Sequence, residues 1–337
     1  MTDTILVTGA AGFIGMHVAR RLLQDGRSVV GLDNLNAYYD PALKQARLDE
    51  LARFQNFRFE KIDLADRSAM AALFAAHRFP YVVHLGAQAG VRHSLVDPYS
   101  YVDANLSGFT NVLEGCRHNG CRHLLYASSS SVYGANARLP FRTSDNVDHP
   151  LSLYGATKKA NELMAHAYAH LFSLPVTGLR FFTVYGPWGR PDMAIWLFTE
   201  AILEGRPIRL FNQGNMRRDF TFIDDVSEAV VRLIERPAAP DPAWSGQSPD
   251  PATSSAPWRV YNIGNSEPVA VTEVVRLIEH ATGKSARREL LPMQPGDVLE
   301  TYADIAALER AVGFRPKTPI AEGIRQFVDW FCAFRAR

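Results

Sequence analysis

Short, almost wholly apolar runs recur through the first half of this 337-residue chain: TILVTG, SVVGLD, RFEKIDL, YVVHLGA, HLLYASS and VTGLRFFTVYG, with stretches of helical period such as FIGMHVARRLLQD between them. A strand that is apolar on both faces needs cover on both faces. Alternation with helices supplies that cover when the strands lie parallel and the crossovers pass on either side. The pattern therefore predicts an α/β fold, a Rossmann-type doubly wound parallel sheet, followed by a smaller mixed α/β substrate domain. Beyond about Arg180 the alternation lapses and Pro and Gly become denser. The expected division is a dinucleotide-binding domain over 1–182, rejoined by some later segments, and a mainly substrate-binding domain over 183–337. PAAPDPAWSGQSPDPATSSAP, residues 237–257, is too rich in Pro and Ser for helix or strand and reads as an exposed loop, because WRVYNIGN resumes a strand directly after it. The closing AEGIRQFVDWFCAF has helical spacing.

Composition narrows the partners. Lys plus Arg number 36 against 35 Asp plus Glu, a balance that points away from nucleic acid and from anionic membranes. Cys116, Cys121 and Cys332 are too few and too irregular for a disulfide framework or a metal site, so a reducing, cytoplasmic setting is expected and no metal. The chain reaches TILVTG without a leader pattern and contains no run of eighteen apolar residues, so no membrane span is expected.

TGAAGFIG places Gly9, Gly12 and Gly15 between the first strand and the first helix, where backbone can approach a pyrophosphate at the helix N-terminus. A plain glycine turn has the same spelling, so the flanking elements carry the argument. Asp33 ends the second strand, 18 residues after Gly15, where a carboxylate accepts from an adenosine ribose and repels a 2′-phosphate; this selects NAD over NADP. Asp63 in KIDL is either a partner for the adenine amino group or a simple loop carboxylate.

Tyr154 and Lys158 in YGATKK are four apart and share a helix face. A phenol with an ordinary pKa near 10 is a poor base at neutral pH; the Lys158 ammonium held close would favour the phenolate, and the same lysine could donate to a nicotinamide ribose. Tyr154 would then take the proton of a carbinol as the hydride leaves for NAD. Upstream, SSSSVYG puts Ser128, Ser129, Ser130 and Ser131 at the carboxyl end of a parallel strand, where doubly wound sheets bind ligands. A hydroxyl there can hold a substrate oxygen, and serines also cap helices and close turns.

TGAAGFIG, SSSSVYG, YGATK, RFFTVYGP and RRDFTFIDD, in this order, resemble the extended short-chain dehydrogenase/reductase superfamily of nucleotide-sugar epimerases and dehydratases across essentially the whole chain. The resemblance implies NAD, a UDP- or dTDP-sugar substrate, a homodimer built on helices near Tyr99–Gly115 and Tyr154–Leu171, and Ser129, Tyr154 and Lys158 as the catalytic set. It extends the cofactor contacts from Gly9, Gly12, Gly15, Asp33 and Asp63 to Phe13, Ile14, Asn34, Leu64, Leu85, Ala87, Gln88, Asn105, Ser128, Phe181 and Val184. For the nucleotide sugar it implies Arg92, Ser129, Ser130, Ser131, Tyr154, Thr183, Arg190 and Met193, with Arg218 on the diphosphate, Arg209 and Phe211 flanking the uridine, and Asp297 at its ribose.

Relatives that dehydrate or decarboxylate their sugar carry an acid between the catalytic hydroxyl and VYG; here Ser130 and Ser131 fill those places. Oxidation with nothing to follow it leaves return of the hydride, and return to the other face inverts C4. VYGPWGRPDMAIWLF and AQAGVRHSLVDPYSYVDANLSGF look like the UDP-glucuronate 4-epimerase branch, although Gly86 and His93 depart from its usual Ala and Tyr. A uronate carboxylate wants a cation or strong donors, and Arg190 with Thr183 could supply them; the less favoured alternative is that Arg190 is a surface residue of a Gly/Pro turn. The expected function is thus NAD-dependent, reversible C4 epimerisation of UDP-glucuronate to UDP-galacturonate. The alternatives are a UDP-glucose or UDP-N-acetylglucosamine 4-epimerase, a decarboxylating UDP-glucuronate enzyme, and an inactive NAD-bound scaffold.

Overall fold

A computed structural model describes residues 3–293 and 298–336. Its strands are β1 (Thr4–Thr8), β2 (Ser28–Asp33), β3 (Phe57–Lys61), β4 (Tyr81–His84), β5 (His123–Ser129), β6 (Val176–Phe181), β7 (Thr183–Tyr185), β8 (Pro207–Leu210), β9 (Arg217–Phe222), β10 (Trp258–Ile263), β11 (Pro268–Ala270), β12 (Arg287–Leu290) and β13 (Glu300–Thr301). The helices are α1 (Phe13–Gln24), α2 (Pro41–Leu51), α3 (Arg67–His77), α4 (Pro98–Tyr101), α5 (Gly108–His118), α6 (Leu153–Phe172), α7 (Ala194–Leu203), α8 (Ile223–Ile234), α9 (Val271–Thr282), α10 (Ala306–Val312) and α11 (Ile320–Arg335). A π-helical stretch, Val102–Ser107, joins α4 to α5.

Seven parallel strands form the central sheet in the order β10-β6-β5-β4-β1-β2-β3, a Rossmann-type arrangement. The apolar runs follow their position in it. Interior β6 is buried at every residue, while edge strand β3 alternates polar with apolar and has no fully buried residue. Strand order reverses between β1 and β4, which opens a crevice beyond their carboxyl ends. The glycine turn begins at that point.

VTGLRFFTVYG, which reads as one strand, serves two sheets. β6 ends at Phe181, the Phe182 amide donates to the Ile263 carbonyl at 2.9 Å, and β7 departs to pair with β9. Phe182 itself packs with Tyr133 and Phe141 in a separate small core. This step carries Thr183 and the loop after it across the mouth of the crevice. The Pro/Ser-rich segment is also more structured than its composition predicts: it is exposed through Pro249 and Asp250, but Ala252, Ser254 and Ala256 are buried, with Ser254 bonded to His166 of α6. Among the described residues, no helix is long and apolar enough to cross a membrane.

Candidate active site

A cavity of about 510 Å³ lies along the carboxyl ends of the central strands. Gly9, Gly12 and Gly15 form its floor at one end. A Cβ on Gly15 would sit 2.0 Å from the Gly9 carbonyl oxygen, so only glycine lets α1 start this close to the turn. α1 has Gly12 as its N-cap and no capping side chain, which leaves its first amides for an anion. Phe13, Ile14, Asn34, Asp63, Leu64, Leu85, Ala87, Gln88, Phe181 and Val184 continue the lining. Asp33 accepts from the Leu35 amide at 2.9 Å and has Lys44 Nζ 3.5 Å away. Lys44, whose ammonium is held below its usual pKa by burial, belongs to the lining and escaped the sequence reading. Its signal was position: α2, started by the Asp40 cap and Pro41, returns a lysine toward the strand end bearing Asp33.

Asn105 is not among the described lining residues. It grips Gln88 from behind, accepting from its amide at 2.9 Å and donating to its carbonyl at 3.0 Å. The buried Nε2 of Gln88 has no hydrogen-bond partner among the described residues. A glycine turn, uncapped helix amides, the Asp33 carboxylate and an unsatisfied amide in one cavity fit a dinucleotide.

The four serines divide their work. Ser128 ends up in a buried network: its hydroxyl donates to Glu162 at 2.7 Å, and Glu162 also receives Arg180 through Nε at 2.8 Å and Nη2 at 2.9 Å. Burial would raise the Glu162 pKa, but Arg180 and Ser128 more than reverse this and hold it below the ordinary carboxylate value. Ser129 caps the following turn, accepting from the Ser131 amide at 3.1 Å, and Ser128, Ser129, Ser130 and Ser131 all line the cavity. α6 then brings Tyr154 and Lys158 to the same wall. Ser152 caps it, accepting from the Gly155 amide at 3.0 Å, and a Cβ on Gly155 would meet the Ser131 carbonyl at 2.7 Å, so the glycine lets the helix lie against the serine turn.

Lys158 Nζ donates one of its three N–H groups to the main-chain carbonyl of Ala127 at 2.9 Å, and burial lowers its pKa to about 8. Tyr154 is raised by burial, opposed by the neighbouring Ser129 hydroxyl and by the Arg190 guanidinium.

Thr183, Arg190, Met193, Arg92 and Arg218 line the far end. Arg190 is already paired: its Nε donates to Asp192 at 2.9 Å, its Nη2 donates to the other oxygen, and the phenol of Tyr38 donates to that oxygen at 3.1 Å. Arg209 and Phe211 are not among the described lining residues. Alternation along β8 buries Ile208 and Leu210 and turns Arg209 outward to Glu289, 3.4 Å away, while the Phe211 ring lies 4.7 Å under the Arg92 guanidinium. Asp297 lies outside the described residues. Tyr38, from the loop after β2, is a second lining residue the sequence reading passed over.

A doubly wound sheet with this glycine turn and this Tyr–Lys helix defines a dinucleotide-dependent enzyme of the extended short-chain dehydrogenase/reductase class. The chain belongs to the NAD dependent epimerase/dehydratase family, whose model matches residues 5–264. It is 47% identical to a probable UDP-glucuronate 4-epimerase of Rhizobium meliloti (strain 1021), over 97% of this chain and 96% of that one. Among solved structures it resembles the UDP-glucuronic acid 4-epimerase from Bacillus cereus in complex with UDP-glucuronic acid and NAD, with TM-score 0.85 and 32% identity over 98% of this chain and 99% of that one. The UDP-glucose 4-epimerase of Thermotoga maritima with UDP-glucose superposes with TM-score 0.85 at 29% identity, over the same 98% and 99%.

Proposed function

We propose that this nucleotide-sugar 4-epimerase, with NAD as its cofactor, acts on UDP-glucuronate and converts it reversibly to UDP-galacturonate. The observation that carries the reading is the wall facing Tyr154: Arg190 and Thr183 line it together with the serine turn, and the carboxylates among the described lining residues, Asp33 and Asp63, stand away at the ends of β2 and β3. Likeness to the Rhizobium and Bacillus proteins supports the same substrate.

When bound, NAD supplies reversible acceptance of the C4 hydride; the glycine turn, Asp33 and Gln88 would hold it, with Lys158 at its nicotinamide ribose. Tyr154, as phenolate, takes the proton of the C4 hydroxyl and later returns it. Ser129 donates to the C4 oxygen as that oxygen becomes a carbonyl. The oxidised uronate is a β-keto acid, prone to lose carbon dioxide when the bond to its carboxylate aligns with the carbonyl π system. Thr183 and Arg190 fix the carboxylate away from that alignment, and the neutral serine turn offers no acid to promote the loss. Cofactor binding falls to residues 1–182 and the nucleotide sugar mainly to 183–337, with Arg218 on the diphosphate.

One observation favours a second reading, a neutral UDP-sugar 4-epimerase: Arg190 already has a carboxylate partner in Asp192. Incubation of the NAD-loaded protein with UDP-glucuronate and with UDP-glucose, followed by chromatographic resolution of the C4 epimers, decides between them. The proposal expects UDP-galacturonate to form far faster than UDP-galactose; the reverse order overturns it.

A homodimer accompanies this reading. Tyr99 of α4 and Leu163 and Leu171 of α6 are 79%, 59% and 68% exposed, an apolar surface that a second copy would cover. Sedimentation of the protein and of Leu163→Glu checks it: a dimer that the glutamate dissociates is expected, and a monomeric parent contradicts it.

A further inference from the structure

The Arg190–Asp192 pair is a carboxylate on a guanidinium, which is also the contact a uronate sugar would make. Both Asp192 oxygens are used, one by Nε and one by Nη2 of Arg190, so the planar fork is filled along one edge. Tyr38, from the loop after β2, donates to the same Asp192 Oδ2 that Arg190 Nη2 uses, at 3.1 Å. The Arg190 and Asp192 side chains are only 23% and 33% exposed, and a guanidinium so placed is costly to leave unpaired. Asp192 follows Arg190 by two residues in one loop, so the pair can open by a local side-chain movement and Asp192 can stay bonded to Tyr38.

We propose that Asp192 is an internal carboxylate that occupies Arg190 until the sugar carboxylate takes its place, with Tyr38 retaining the displaced Asp192, so that this pair sets selectivity between uronate and neutral sugars. The proposal rests on the uronate reading above. A neutral sugar carries nothing to exchange and leaves the pair closed. A uronate replaces one carboxylate by another, so Arg190 is never unpaired, and the affinity for the uronate is reduced by the work of opening the pair. Asp192 is therefore a specificity-determining residue that needs no contact with the reacting carbon.

The test measures binding of UDP-glucuronate and UDP-glucose by calorimetry to NAD-loaded Tyr154→Phe protein, which does not consume the ligands, with and without Asp192→Asn or Tyr38→Phe. Removing the internal competitor is expected to tighten UDP-glucuronate about 10-fold and leave UDP-glucose within about 2-fold. Tyr38→Phe keeps the ion pair but removes the partner that receives Asp192, and is expected to weaken UDP-glucuronate about 3-fold with UDP-glucose unchanged. Weaker or unaltered uronate binding in Asp192→Asn, or equal effects on both ligands in either variant, overturns the proposal. If the wild-type protein epimerises UDP-glucuronate, that result counts against the exchange alone; if it does not, the uronate reading fails and the exchange falls with it.

Discussion

Burial pushes the Tyr154 phenol above its ordinary pKa, and the Ser129 hydroxyl, then the Arg190 guanidinium, oppose that rise. Lys158 is one helical turn from Tyr154 and gives the Ala127 carbonyl one of its three N–H donors, which leaves its charge in place. Arg190 would act on the proton as well as on the sugar carboxylate, alongside that charge.

Arg190→Gln is therefore expected to move the ascending limb of the kcat/KM–pH profile upward, on a neutral UDP-sugar as well as on a uronate. Lys158→Met, which removes an ammonium one helical turn from the phenol, should also move that limb upward and weaken NAD retention. A limb that stays in place for Arg190→Gln would show that the guanidinium does not act on the proton.

The serines separate by function. Ser129→Ala is expected to lower kcat about 100-fold at little cost in stability. Ser128→Ala, which strips a donor from buried Glu162, should cost about 1–2 kcal/mol in denaturant unfolding and leave kcat within about 3-fold. Equal kinetic effects from the two would contradict this division.

Arg47 is fully buried and ties the glycine turn to the loop carrying Arg190. Nη1 donates to the Ala11 carbonyl at 3.0 Å, and Nη2 donates to the carbonyls of Trp188 at 2.7 Å and Gly189 at 3.0 Å. Trp188 sits at φ 64°, a left-handed conformation that a bulky residue keeps only when its surroundings fix it. Arg47→Met should cost about 3 kcal/mol in urea unfolding, since three buried carbonyls lose their donor. A loss below about 1 kcal/mol would show that the loop does not depend on it.

His84 gives the fold an acid limit. Burial first, and then the charge of Lys158, lower its pKa from 6.5 to about 3, while its Nδ1 lies 2.8 Å from the Thr8 hydroxyl. The unfolded chain binds the proton first, so the stabilisation from neutral His84 is complete above pH 6.5 and is lost as pH falls toward 3, at up to about 1.4 kcal/mol per pH unit. His84→Gln should flatten the fall of the unfolding free energy between pH 6.5 and 4. An unchanged slope would assign acid sensitivity to other groups.

The architecture was legible because it follows from local pattern: apolar runs too uniform for one-faced strands, a glycine turn between strand and helix, and Tyr154 and Lys158 four apart. Those features place Gly9, Asp33, Ser129, Tyr154 and Lys158 on one cavity. What the pattern does not carry is the choice of partner among charges. Arg47 meets Trp188 across 141 residues, and Tyr38 meets Asp192 across 154. Helical spacing put Lys158 beside Tyr154 but could not show that the main-chain carbonyl of Ala127 would accept one of its N–H donors. Alternation in β8 likewise decides that Arg209 turns outward, and that strand is too short to announce its register.

The claim on which the account depends is that hydrogen leaves C4 as hydride and returns to the same carbon from the opposite side, with Tyr154 moving only the hydroxyl proton. UDP-glucuronate deuterated at C4, turned over by the NAD-loaded protein in ordinary water and resolved as its two epimers, tests it directly. The account predicts UDP-galacturonate with the deuterium still at C4 and no release of carbon dioxide. Loss of the label to solvent at the rate of epimerisation would contradict it.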